Sequence, residues 1–160
     1  MNIFNILDIV EIDEVEFSIS ESYQSENATF DEHSIQVIGT YDNDNLDALF
    51  SSDNLIFGNR GKAIAKDDIA NHNHSLMFIN TSDFEFYQKI YEDNPNPKTR
   101  IKFSYNENSY DLPVTDPDFL DEYQSNLNLA NDSNTVSITL SIGIEHNGWY
   151  YKLVAGIVMF

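Results

Sequence analysis

The densest group of cations in this sequence is Lys98, Arg100 and Lys102, spaced two residues apart. On a strand that spacing puts all three on one face. A cationic face beside aromatic side chains can meet phosphates and stack bases, which is how sheets hold single-stranded nucleic acid. The competing reading is structural, with the same cations pairing across the sheet to Asp111 and other acids. A second basic spot is Gly58-Asn59-Arg60-Gly61-Lys62. Two glycines three apart suggest a tight, exposed backbone, and Arg60, Lys62 and nearby amides could contact an anion or nucleotide. A P-loop is excluded, because Ile56 stands where the first glycine must be and Ala63 follows Gly61-Lys62 in place of Ser or Thr. Without that motif the stretch also reads as a plain surface turn.

Other reactive types are present without a pattern that activates them. His72 and His74, with Asp67 and Asp68 nearby, have a spacing found in metal sites, but no third ligand follows at a recognisable distance. No nucleophile accompanies His33, His72, His74 or His146 in a recognisable constellation. Carboxylate pairs such as Glu14 and Glu16, or Asp116 and Asp118, arise by chance in so acidic a chain, and glycosidase chemistry needs two of them across a cleft. There is no Cys, which excludes disulfides, thiolate metal sites and cysteine nucleophiles and fits a reducing cytosol. Nothing here implies a cofactor or a metal, and the expectation is a protein that is not an enzyme.

The formal charge is −19, from 27 acidic and 8 basic side chains, and it is unevenly placed. Met1 to Asn59 holds thirteen acids and no base; Arg60 to Lys102 holds seven bases and six acids; Phe103 to Phe160 holds eight acids and one base. An anion site must therefore draw on the middle third. The acidic remainder repels nucleic-acid backbones and anionic membranes, gives solubility, or docks a basic partner. No apolar run reaches the roughly 18 residues of a membrane span. The N-terminus lacks the basic residue and cleavage pattern of a secretory signal.

The elements that must position these residues are mostly strands. The 160 residues fit one domain or two very small ones, and nine Tyr, eleven Phe and one Trp favour sheets. Ile3 to Ile12 opens the chain without clean alternation. Val15, Phe17 and Ile19 alternate with polar residues, which predicts a half-buried strand. Tyr23 to Glu32 reads as a loop and Ser34 to Thr40 as a strand. Asn43 to Phe50 reads as helical turns capped by Asn43 or Asp44. Ser75 to Ile79 reads as a buried strand and Phe84 to Tyr91 as a strand. Asn94-Pro95-Asn96-Pro97 is expected to break the chain, making Glu92 to Pro97 the nearest thing to a linker. Ile101, Phe103 and Tyr105, then Tyr110, Leu112 and Val114, predict a hairpin. Asp118 to Leu129 reads as a loop or short helix. Val136, Ile138, Leu140 and Ile142 predict a strand that turns at Asn147-Gly148. Trp149 to Val158 runs back, apolar enough to be buried on both faces, with Trp149, Tyr150 and Tyr151 as packing residues.

The order in which Ser75-Leu76, Arg100-Ile101-Lys102-Phe103-Ser104-Tyr105 and Tyr110-Asp111-Leu112-Pro113-Val114-Thr115-Asp116-Pro117 follow one another is similar to that of the dual OB-containing domain family of prokaryotic conflict and phage-defence loci. It continues through Ser137-Ile138-Thr139-Leu140-Ser141-Ile142-Gly143 and Tyr151-Lys152-Leu153-Val154-Ala155-Gly156-Ile157. Leu7-Asp8-Ile9-Val10-Glu11-Ile12 and Gln24-Ser25-Glu26-Asn27 resemble earlier family elements, so the likeness spans roughly residues 7 to 158. The resemblance implies two small OB-type barrels, packed or fused, and a nucleic-acid or nucleotide role. Family members usually begin with a longer segment bearing a Gly-rich basic stretch and a Trp-bearing strand. The expectation is therefore a first barrel (about 1–80) that is incomplete, or completed by strand addition from another chain, packed on a second (about 81–160).

Two function classes follow. One is a cytoplasmic, non-catalytic OB-like binding module in a bacterial defence or nucleic-acid-processing assembly. It contacts a protein partner and a nucleotide or single strand through Arg60, Lys62, Lys98, Arg100 and Lys102. The other is an acidic inhibitor that imitates a phosphate backbone and occupies a basic protein groove.

Overall fold

The alternation at Val136, Ile138, Leu140 and Ile142 forms the spine of the fold, because all four side chains are buried. A computed structural model describes residues 5–13, 15–17 and 21–159, and these are mainly β with short helices. The largest sheet has the antiparallel order β5 (Ala63–Ala65), β11 (Trp149–Val158), β10 (Val136–His146) and β6 (Leu76–Thr81). A second sheet is the meander β7 (Phe84–Tyr91), β8 (Asn94–Tyr105) and β9 (Asn108–Pro113). A parallel bridge between Val114 and Val154 joins the end of the meander to β11. Two ribbons complete the strands: β1 (Asp8–Ile12) with β4 (Ile35–Thr40), and β2 (Glu16–Phe17) with β3 (Ala28–Thr29).

The two larger sheets meet in one core. Ile138, Leu140 and Val154 from the first face Ile101, Phe103, Tyr110 and Leu112 from the second, together with Ile56, Phe57 and Phe119. Each such side chain contributes roughly 1.5–3 kcal/mol by leaving water. The tight turns follow from local chemistry. Asn106 and Glu107 have φ of 47° and 63°, and Asn147 and Gly148 have 52° and 82°. Positive φ at both central residues gives the turn whose twist matches that of paired strands.

Helix α1 (Pro117–Tyr123) begins with Pro117, whose missing N–H is not needed there. The Asp116 carboxylate caps it, accepting from Asp118 N at 3.0 Å and Phe119 N at 3.2 Å. Its other oxygen accepts from Ile157 N of β11 at 2.7 Å, and the residue is buried. Asp116→Ala should therefore cost about 2–3 kcal/mol, one part lost cap and one part an orphaned buried N–H. Urea unfolding of the variant measures it, and a loss below 0.5 kcal/mol would show that water replaces the carboxylate. Helix α2 (Leu127–Asn131) covers the edge of β7, since the Asn131 amide accepts from Phe86 N at 2.7 Å and donates to Phe86 O at 2.9 Å.

Several expectations need correction. Asn94 to Pro97 does not break the chain. Glu92 and Asp93 form a turn, and β8 begins at Asn94. The prolines are tolerated because β9 pairs only with residues 100–105, leaving that part of β8 open on one side. Strand β11 is not buried on both faces: Tyr150, Lys152, Val154 and Ile157 point inward, whereas Trp149, Tyr151 and Ala155 are exposed. The strand expected over Val15 to Ile19 is limited to Glu16–Phe17 among the described residues, where Val15 and Phe17 are exposed; Ile19 lies outside them. Ile3 of the opening segment also lies outside. The turns at Asn43–Leu49 are 3-10 and are capped by Asp42, which accepts from Asp44 N. Among the described residues, no helix is long and apolar enough to cross a membrane.

Candidate functional site

Pairing β7 with β8 sets Lys89 directly opposite Lys98. Like charges opposed across a ladder destabilise it, and the contact that Lys89 makes is with the Tyr91 ring, 5.2 Å from its centroid. Among the described residues no carboxylate lies within 4.0 Å of either ammonium. The same holds for Arg60 and Lys62. All four cations are exposed, and all line one cavity of about 990 Å³. Arg100 and Lys152 line it as well, so six of the chain's eight basic residues converge there. Among the described residues Asp111 is the one acid in the wall. Outside the cavity the chain carries two bases, Lys66 and Lys102, and 26 acids, a net of −24.

The two inner cations have partners and give the site its frame. Arg100 Nε donates to Asp111 Oδ1 at 2.7 Å, Nη2 to Asp111 O at 2.7 Å, and Nη1 to the Tyr91 hydroxyl at 3.1 Å. Tyr87 donates to the second Asp111 oxygen at 2.7 Å. Burial works against both charges of the pair. The hydrogen bonds and mutual attraction outweigh it, holding Asp111 below the usual carboxylate range and Arg100 above its ordinary value. The cross-strand reading of Arg100 with Asp111 is thus realised, and it fixes the Tyr91 ring at the cavity wall.

Lys152 holds the opposite wall. Its side chain is fully buried and, among the described residues, forms no ion pair with a carboxylate. Nζ donates to Ile56 O at 2.6 Å, Asn59 O at 2.9 Å and Asn59 Oδ1 at 2.9 Å, which uses all three of its protons. Burial pushes its ammonium down to about 8. The segment it grips is bent: Phe57 has φ 46° and Gly58 φ 71°, the left-handed region that costs a non-glycine residue roughly 1 kcal/mol. Tyr110 supports the bend, its hydroxyl accepting from Ile56 N at 3.3 Å. Arg60 and Lys62 follow directly, and the backbone N–H of Lys152 bonds Lys62 O at 2.9 Å. Lys152 is therefore a positioning residue for the loop that carries two of the free cations.

The structure thus brings Arg60, Lys62, Lys98 and Arg100 together and sets Lys102 apart. Lys102 lines a smaller cavity of about 430 Å³ with Asp83, Glu85 and Asp111. It lies over the Tyr87 ring at 4.6 Å, with Glu85 at 4.0 Å. Sequence reasoning missed Lys89 and Lys152. The misread prolines hid the hairpin that opposes Lys89 to Lys98. Lys152 shares the inward alternation of Tyr150 and Val154, and that pattern was the available signal.

The histidines do not join the site. His33 is exposed beside Asp31, whose carboxyl is held down by hydrogen bonds from the His33 backbone and ring. His74 lies 3.5 Å from Asp53. His72 is pushed below its ordinary value by burial and by its cationic neighbours. His146 bonds the Asn147 amide at the β10–β11 turn. No group of three or more His, Cys, Asp or Glu that could hold a metal ion occurs among the described residues.

A family model described as a dual OB-containing domain matches residues 2–157. No curated protein and no solved structure matches the chain.

Proposed function

This chain belongs to the dual OB-containing domain family, and from that membership and the cationic cavity we propose that it is a non-catalytic binding module for a phosphate-bearing ligand. The single observation that carries the reading is that four cations with no acid partner among the described residues gather in one cavity of a chain in which acids outnumber bases 27 to 8. Holding them together unpaired costs stability, and a bound anion reverses that cost. Nucleotides and single-stranded nucleic acid supply the required phosphates.

The same reading places the module in a bacterial defence or nucleic-acid-processing assembly, with a basic protein as partner. The first 59 residues support the partner's chemistry, since they hold thirteen acids and no base. The β1–β4 ribbon within them exposes Ile9, Val37 and Ile38. Isolated two-stranded ribbons are marginal in water, and a cationic partner surface would cover this one.

Inorganic pyrophosphate is the simplest test of the cavity. Calorimetry in 50 mM salt should show one site per chain, weakening at least tenfold at 500 mM because exposed charges are screened. Absence of any heat at millimolar pyrophosphate would remove the cavity reading.

A further inference from the structure

The surroundings of the cavity bear on the length of the ligand. Its volume of about 990 Å³ is at the upper end of the range for small-molecule sites, roughly 300–1,000 Å³. A nucleic-acid strand longer than the cavity would run onto its surroundings, and three stretches beside it are acidic. Along the meander the cavity shares Ser109, Tyr110 and Asp111 with the smaller one, which Asp83 and Glu85 also line and where Glu85 already faces Lys102. Past Lys89 and Lys98 lies the β7–β8 turn with exposed Glu92 and Asp93. Past Leu120 in the wall, α1 exposes Asp118, Asp121 and Glu122. A phosphate beyond the cavity on any of these sides would approach carboxylates, whereas strand-binding grooves track the backbone with continuous positive charge.

Inside, the inventory suits one compact polyanion. Arg60, Lys62, Lys89 and Lys98 match the three or four negative charges of a di- or triphosphate. Tyr91, held by Arg100, and half-exposed Tyr151 offer ring surface in the same wall.

Resting on the reading of the cavity as a phosphate site, we infer that its ligand is a nucleoside di- or triphosphate and that nucleic-acid strands are excluded. The shared chemistry is a short run of phosphates on a nucleoside. The test titrates the full chain in 100 mM salt with ADP, ATP, pyrophosphate and a 15-nucleotide oligothymidylate. ATP should bind at least tenfold tighter than the oligonucleotide and at least threefold tighter than pyrophosphate. Tyr91→Ala should lower ATP affinity by a larger factor than pyrophosphate affinity, bringing the two ligands to the same level. An oligonucleotide that binds as tightly as ATP overturns the exclusion while leaving the phosphate site standing. Equal affinity for ATP and pyrophosphate overturns the nucleoside part alone. No binding of any probe removes the site and the inference together.

Discussion

Replacing Lys152 with Met should destabilise the protein by about 2–4 kcal/mol at pH 7 and abolish its alkaline stabilisation. The loss arises because Ile56 O, Asn59 O and Asn59 Oδ1 lose the one buried donor that ties all three together, the first in a buried setting and the two Asn59 oxygens in partly buried ones. The pH dependence has a definite sign. The Lys152 ammonium sits at about 8 in the folded chain and at its ordinary 10.5 when unfolded. Between those values the unfolded chain holds more protons, so stability rises with pH. From pH 8 to 10 the gain is about 2 kcal/mol. Above pH 10 the trend reverses. Burial raises Tyr23, Tyr87 and Tyr105 in the folded chain, so the unfolded chain ionises first there. Urea midpoints at pH 7, 8, 9 and 10 for wild type and Lys152→Met measure both effects. A variant that keeps the wild-type slope would show that the buried lysine is not its source. Release of the Ile56–Asn59 bend should also weaken pyrophosphate binding, although Lys152 itself has no proton left to offer a ligand.

Reversing one charge of the opposed pair, Lys98→Glu, should separate stability from binding. The like-charged Lys89–Lys98 contact becomes an attractive one, a change of about 1 kcal/mol for exposed cross-strand neighbours. For a chain of this size that raises Tm by about 2–4 °C. Pyrophosphate affinity should meanwhile fall at least 30-fold, because one attractive charge is lost and a repulsive one takes its place. Most functional substitutions destabilise, so a variant that is more stable and inactive marks a site kept strained for binding. A drop in Tm with affinity intact would contradict both halves. The double variant Lys89→Glu with Lys98→Glu controls for folding, since it restores a like-charged pair of the opposite sign without restoring binding.

Much of the second half was legible because its signals were local and unopposed. Alternation over Val136–Ile142 and Ile101–Tyr105, and Asn147-Gly148 between long strands, each had one structural solution. The first half was less legible for a physical reason. Its ribbons bury little, so the alternation at Val15 and Phe17 corresponds to no covered face. Pro95 and Pro97 misled because their cost depends on whether a neighbouring strand needs their N–H, and that depends on where β9 ends. The cations of the site were found where they cluster in sequence. Their convergence was not readable, because Arg60 and Lys62 reach Lys98 only through the pairing of β5 with β11 and the bridge from Val114 to Val154. Lys152 was hidden by its neighbours, since an apolar strand does not announce that one inward position holds an ammonium.

A positive pocket set within an exterior of net −24 has a kinetic consequence. Within about a Debye length of the surface an incoming anion meets the outer field, which is repulsive, and only at the mouth does the sign change. Added electrolyte therefore speeds arrival and shortens residence. Occupancy at a given ionic strength is set by the ratio of the two rates, so the weaker binding expected at high salt requires residence to shorten more than arrival quickens.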